Sequence, residues 1–218
     1  MTPLLQAQNL SKSYGQIQIF KELSLEISQG ESVAISGASG CGKTSLLSIL
    51  AGIDQDYMGK IKLEETFYNT LSPHLFSQFR AKNTGIIFQE FHLLESLTVE
   101  ENIQLPCKLL KIKMDHTWVD HLIKSVNLQD RRKHYPWQLS GGEQQRTAIA
   151  RSMIHRPKII FADEPTGNLD EKNATIVEDI LFDLVKTEKT SLFVISHNLN
   201  LCDRAHRHFK LTHGQLHL

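Results

Sequence analysis

The chain has 218 residues, 40% of them hydrophobic, which suits one domain, or one domain with a subdomain, built around a real core. Lys plus Arg and Asp plus Glu are both 24, so the formal charge is zero and nothing offers nucleic acid an electrostatic footprint. The first residues, Met1-Thr2-Pro3-Leu4-Leu5-Gln6-Ala7-Gln8, lack a basic and a long apolar region, and no segment approaches the roughly 18 to 20 apolar residues that cross a bilayer, so the expected location is cytoplasmic.

From the N-terminus, Leu4 to Leu10 and Leu23 to Ile27 are short alternating runs separated by turn residues at Tyr14-Gly15 and Gln29-Gly30, a pattern that predicts antiparallel strands. Ser32-Val33-Ala34-Ile35-Ser36 predicts a buried strand. Thr44 to Ala51, with apolar Leu46, Leu47, Ile49 and Leu50 and a closing Gly52, predicts a helix. Between them, Gly37-Ala38-Ser39-Gly40-Cys41-Gly42-Lys43-Thr44 matches G-x-x-x-x-G-K-[ST] in the strand-to-helix setting that motif requires. Its backbone N–H groups would cradle phosphates, Lys43 would reach the β and γ oxygens, the Thr44 hydroxyl would ligate Mg²⁺, and Ser45 is placed for the α-phosphate. Cys41 is either a reactive thiol or an inert small residue. With Cys107 and Cys202 it forms no C-x-x-C pair, so free thiols are expected.

Gly85-Ile86-Ile87-Phe88 reads as a strand ending at Gln89, and residues from about 90 to 138 are mostly helical by pattern, with Pro106 and Pro136 as breaks. Arg131-Arg132-Lys133 reads as a solvated face. In Leu139-Ser140-Gly141-Gly142-Glu143-Gln144-Gln145-Arg146, the S-x-x-E spacing places Ser140 at a helix N-cap and Glu143 at its third residue. Two glycines in a first turn disfavour a helix, but they let a phosphate approach the unpaired N–H groups there. Lys158-Ile159-Ile160-Phe161-Ala162-Asp163-Glu164 has the form of a central parallel strand whose C-terminal end faces a ligand crevice. In that position Asp163 would hold the magnesium shell, and Glu164 would deprotonate an attacking water. Ser191 to Ser196 is a further apolar strand ending at His197, and His206, His208, His213 and His217, without metal-ligand spacing, read as solvated surface.

The Leu139–Arg146 octapeptide resembles the signature of ATP-binding-cassette ATPases. The order of phosphate loop, Gln89, signature, Asp163-Glu164, Gly167-Asn168-Leu169-Asp170 and His197 is similar to that family over essentially the whole chain. The resemblance implies an α/β P-loop NTPase fold of the ABC nucleotide-binding type, with an N-terminal antiparallel β subdomain and an α-helical subdomain inserted at about 90–150 of a single domain, 1–218. It implies an ATPase using ATP and Mg²⁺. Gln89 would touch Mg²⁺ and the attacking water, and His197 would contact the γ-phosphate and hold Glu164. Tyr14 would stack on adenine, although a tyrosine before glycine also suits a turn or the core. Ser140, Gly141, Gly142 and Glu143 would complete the phosphate site of a second copy, so that two chains sandwich two ATP molecules.

A membrane permease subunit is the other implied partner, with the chain peripheral on the cytoplasmic face of the inner membrane and no nucleic acid bound. Glu164-Pro165-Thr166-Gly167-Asn168-Leu169-Asp170, Phe88-Gln89-Glu90-Phe91-His92-Leu93-Leu94 and Glu101-Asn102-Ile103-Gln104-Leu105-Pro106 are similar to the lipoprotein-releasing, macrolide-efflux and cell-division (LolD-, MacB- and FtsE-like) branch. Asn198, where aspartate commonly follows the histidine, departs from the pattern without touching its chemistry. An ATP-gated scaffold for envelope or division proteins is the alternative role. A ribosome-associated cassette would call for tandem cassettes and a basic surface, against one cassette and zero net charge here.

Overall fold

The computed structural model describes residues 3–218, which divide into two units, one formed by the chain up to Arg80 with Ser191–Leu218 and the other by Ala81–Thr190. The first begins with strands β1 (Leu5–Tyr14) and β2 (Ile17–Ile27), paired antiparallel from Leu5↔Ile27 to Tyr14↔Ile17. Leu5, Ala7 and Leu10 of β1 and Phe20, Leu23, Leu25 and Ile27 of β2 are buried, at about 1.5–3 kcal/mol for each large side chain removed from water. A register shift between Ala7 and Leu10 moves the inward face from odd to even positions.

Every residue of β3 (Ser32–Ser36) is buried, as an apolar parallel strand requires. Helix α1 (Lys43–Leu50) follows. It closes as the sequence predicts, with Gly52 left-handed at φ 71°, its N–H bonded to the Ile49 carbonyl and that of Ile53 to the Ser48 carbonyl. Strands β4 (Met58–Leu63) and β5 (Thr66–Phe67) complete an antiparallel sheet of order β2-β1-β4-β5. Helix α2 (Pro73–Asn83) places Phe76 edge-on to Tyr68, whose hydroxyl donates to the Leu50 carbonyl.

In the second unit β6 (Thr84–Ile87) lies parallel to a strand from after the signature, with α3 (Val99–Leu109), α4 (His116–Ser125) and α5 (Gly141–Met153) between them in sequence. Each helix is capped by its own sequence: Thr98 with Glu101, Asp115, and Ser140 with Glu143. Pro106 is not a break. It lies inside α3 in the last turn, where its missing N–H removes one bond to Asn102 while Leu110 N–H still reaches the Pro106 carbonyl. Pro136 does interrupt the pattern, opening a short 3₁₀ turn, Pro136–Gln138. Strand β7 (Ile159–Asp163) pairs with β6 from Thr84↔Ile159 to Ile87↔Ala162, and α6 (Glu171–Thr187) follows, capped by Asp170. Helix α5 packs against α3 and α6.

Arg131 and Arg132 also depart from the solvated face expected of them. Arg131 pairs with Glu143 at 2.9 Å, and Arg132 grips both oxygens of Glu100 at 2.6 and 2.7 Å and Asp120 at 2.6 Å. The Arg132 guanidinium holds the Glu100 carboxyl below its usual range.

The chain returns to the first unit with β8 (Ser191–Ile195), α7 (Leu199–Cys202), β9 (Arg207–Thr212) and β10 (Gln215–His217), giving the order β10-β9-β3-β8 there. β3 is parallel to both β8 and β9. His213 and His217 are exposed as expected, but two other histidines are tied to β3: His206 Nδ1 lies 2.6 Å from Ser32 Oγ, and His208 Nε2 lies 2.7 Å from Ser36 Oγ. Serine hydroxyls at both ends of a buried strand account for those bonds. No described helix is long and apolar enough to cross a membrane.

His155, after α5, should make stability depend on pH. Its Nε2 lies 3.1 Å from the Thr84 carbonyl, its Nδ1 is buried with no hydrogen-bond partner among the described residues, and burial pushes its pKa below the ordinary histidine value. A depressed folded pKa means that the stabilisation of the neutral ring is complete above about pH 6.5 and is lost as pH falls through the folded value. Thermal melts should therefore show a lower midpoint at about pH 5.5 than at about pH 7.5, and His155→Gln should flatten that difference.

Candidate nucleotide site

In the first unit, the loop Gly37 to Lys43 leaves the C-terminal end of β3 while His197 follows β8, and the two strands are in register at Ile35↔Ile195. Parallel pairing thus sends the loop and the histidine out from the same edge. A Ser196 N–H bond to the Ile35 carbonyl, 3.1 Å, continues the ladder to that edge. Gly42 is left-handed at φ 103° and is the N-cap of α1, offering no side chain to cap the first-turn N–H groups. A Cβ there would run into Ile19 Cγ2 as well as strain the backbone. Lys43 Nζ donates to the carbonyls of Gly37 and Ala38 at 2.8 and 3.0 Å. No disulfide forms among the described residues, and Cys41 is half-buried in the loop. Tyr14, at the end of β1, is 52% exposed, so it is not a core residue, and its hydroxyl lies 3.4 Å from Ser45 Oγ.

The second unit repeats the arrangement. Ile87↔Ala162 is the last register pair of β6 and β7, so Gln89 and Asp163-Glu164 leave adjacent strand ends. Gln89 Nε2 donates to Asn168 Oδ1 and Asn168 Nδ2 donates back to the Gln89 carbonyl, both at 3.1 Å. Glu164 has a left-handed backbone, φ 46°. For a residue with a Cβ this costs on the order of 1–2 kcal/mol, strain of the kind that clusters where a side chain must be aimed. A 3.0 Å bond from Gly167 N–H to the Glu164 carbonyl holds the turn.

Ser140 and Glu143 form the expected capping box. Glu143 Oε2 accepts from Ser140 N–H and Oγ–H, both at 2.8 Å, and Ser140 Oγ accepts from Glu143 N–H at 3.3 Å. Burial alone would raise the Glu143 carboxyl, but these bonds and Arg131 outweigh it and hold it below the usual range. The box uses the N–H groups of Ser140 and Glu143 and not those of Gly141 and Gly142. The glycines also differ from each other: Gly142 is buried, and a Cβ on it would sit 2.8 Å from Asn173 Oδ1, so a larger residue would have to displace that amide.

Three residues received no role from the motifs, although Gln145 lies within one of them. Gln145 is fully buried on α5, and its Nε2 donates to the Pro165 carbonyl at 2.7 Å, next to Glu164, and lies 3.4 Å from the Phe88 carbonyl, next to Gln89. Arg151 donates to the carbonyls of Phe91 and His92 at 2.7 and 2.5 Å. Asn102, fully buried, bonds both backbone groups of Leu94 and the carbonyl of Leu97. All three grip main-chain atoms, which carry no side-chain signature.

The ABC transporter family matches residues 20–167. A lipoprotein-releasing system ATP-binding protein, LolD, of Cytophaga hutchinsonii is 39% identical over 216 residues, covering 98% of this chain and 99% of the relative. An uncharacterized ABC transporter ATP-binding protein of Methanocaldococcus jannaschii, MJ1508, is 40% identical over 98% of this chain and 97% of its own length. Among solved structures, the ATP-binding cassette MJ0796, as a dimer in a post-hydrolysis state bound to ADP and Pi, superposes with a TM-score of 0.87 at 31% identity, covering 98% of this chain and 97% of that one. The chain belongs to the ABC transporter family. It is an ATP-binding, ATP-hydrolysing subunit with the α/β cassette fold, similar to LolD proteins.

Replacing Arg151 with Met should remove both backbone bonds to residues 91 and 92 and cost about 2–3 kcal/mol, the worth of hydrogen bonds to a charged group. Hydrogen exchange should then accelerate in residues 89–94 more than in β7.

Proposed function

We propose that this chain powers a separate membrane permease of the lipoprotein-releasing or efflux type, acting as two copies that sandwich two ATP molecules on the cytoplasmic face of the inner membrane. Residues 1–218 would act as one cassette. The observation that carries the mechanism is Glu164, a carboxylate one residue past β7 on a left-handed backbone, beside the Gln89–Asn168 clasp. End-to-end likeness to lipoprotein-releasing system ATP-binding proteins supports the choice of branch.

On this reading Mg²⁺ would be held by the Thr44 hydroxyl, the Asp163 carboxylate and Gln89 Oε1, the end of that amide left once Nε2 is given to Asn168; each is the hard oxygen that this ion prefers. When bound, the ion would supply charge neutralisation to the phosphates. Gly37, Ala38, Ser39, Gly40, Cys41 and Gly42 wrap the phosphates with backbone N–H groups, Ser45 holds the α-phosphate, and Tyr14 stacks on adenine. Lys43 binds the γ-phosphate oxygens, Glu164 takes the proton of the attacking water, and His197 orients that water. From the second copy, Ser140 Oγ and the N–H groups of Gly141 and Gly142, which the capping box does not use, complete the γ-phosphate site, with Glu143 fixing the turn. Loss of the γ-phosphate would let the pair reopen, and the segment after Gln89 would pass that motion to the permease.

Glu164→Gln keeps shape and removes the base. Hydrolysis should fall by roughly 10²- to 10⁴-fold while ATP binding persists. An ATP-dependent dimer should accumulate on gel filtration, and near-normal turnover by this variant would reject the assigned base. The transport reading is tested by purifying the protein from its native membranes. A co-purifying permease with a large extracytoplasmic region, and ATPase activity that responds to a transported molecule, would support it. Turnover indifferent to any transported molecule, in a complex of envelope or division proteins, would replace it with the scaffold role.

A further inference from the structure

Strand β1 buries a lysine two residues before Tyr14. The register shifts that bring Leu10 inward bring Lys12 with it, and its side chain is 2% exposed. Its ammonium group pairs with Asp54 Oδ2 at 2.9 Å and Asp56 Oδ2 at 3.1 Å and donates to the Asp56 carbonyl at 2.5 Å. It also lies over the Tyr14 ring, 4.7 Å from the centroid. Burial disfavours the charge, but the hydrogen bonds and charges of Asp54 and Asp56 outweigh it and raise the pKa, so the group stays an ammonium. Stability alone does not call for this cluster, because Lys12 gives up its hydration while one of its two carboxylates, Asp56, stays in solvent, where an ion pair is worth little. Nor does phosphate binding, since two carboxylates leave the cluster with a net negative charge. What remains distinctive is the ring. Tyr14 has its hydroxyl 3.4 Å from Ser45 Oγ, is covered on one face by a cation, and is still half exposed.

We propose that Lys12, locked by Asp54 and Asp56, is a positioning residue for the nucleotide base: it occupies one face of Tyr14 and so prepares the other face for the purine. A second effect acts in the same direction. Stacked π systems repel through their negative faces, and a cation behind one ring draws density from it and weakens that repulsion. Lys12 touches neither phosphate nor reacting atoms, so its contribution belongs to binding and not to the chemical step. The inference rests on the reading of Tyr14 as the adenine platform, and the two can fail separately.

The test compares ATP with inorganic tripolyphosphate, which has the phosphates and no base, by calorimetry on the full chain. Lys12→Met should weaken ATP binding roughly three- to ten-fold and raise KM with kcat unchanged, while tripolyphosphate affinity stays within about two-fold. Lys12→Arg should recover most of the loss, because a guanidinium also stacks on a ring face. In a Tyr14→Leu background, Lys12→Met should add nothing further. Equal weakening of ATP and tripolyphosphate would reduce Lys12 to a structural role and overturn the proposal, as would unaltered ATP affinity in Lys12→Met when Tyr14→Leu weakens it. If Tyr14→Leu leaves ATP affinity intact, the platform reading itself falls, and the inference with it. Should Lys12→Met not fold, Asp54→Asn loosens the same ammonium and must show the same split between the two ligands.

Discussion

Parallel register is the constraint on which the rest depends. Ile35 aligned with Ile195, and Ile87 aligned with Ala162, put the ends of four strands at matching levels in pairs. The phosphate loop leaves beside His197, and Gln89 leaves beside Asp163-Glu164. A slip of one residue would turn the side chains of a whole strand to the opposite face. β3 and β8 are buried at every position, so such a slip would disturb packing on both sides at once. Short apolar strands thus fix where these loops begin.

Within the second unit, α5 gathers what leaves those strands. Its N-terminus is the signature, its buried Gln145 holds the main chain beside both Glu164 and Gln89, and its Arg151 holds the main chain of Phe91 and His92. Arg131 fastens Glu143 at the front of the same helix, and Arg132 joins the Glu100 end of α3 to Asp120 of α4. A helix that carries the signature is therefore bonded directly to the residues flanking the proposed base and the proposed sensing segment. Movement of one against the others requires charged or buried hydrogen bonds to break, at about 1.5–3 kcal/mol for each charged one.

Legibility in the sequence follows the range of the interaction. The phosphate loop, the Ser140–Glu143 box and the Gly52 helix end each lie within eight consecutive residues, and local geometry decides them. Strand ends at Gln89, Asp163 and His197 were legible because apolar runs stop there. Pro106 misled because a proline within a helix removes one bond, here to Asn102, without ending the helix when the turns around it stay bonded, as Leu110 N–H to the Pro106 carbonyl does. Arg131, Arg132, Gln145 and Arg151 find partners 12 to 60 residues away. Two of them looked like a solvated face because pairing across elements leaves no periodic trace. Gly142 was legible as a required glycine, but the Asn173 amide against it is visible only in the fold.

Lys43, folded onto the carbonyls of Gly37 and Ala38, bears on how the cycle resets. A cation stripped of its phosphate would otherwise be left in a loop of oriented dipoles, and product would depart slowly. If Lys43 binds phosphate as proposed, these two acceptors would take its place on release, making release an exchange of partners. On the same reading the incoming nucleotide would have to compete with the loop's own carbonyls, which would temper its affinity. An ATPase that turns over repeatedly would gain from such an exchange, since the proposed phosphate partner would always have an alternative within the loop.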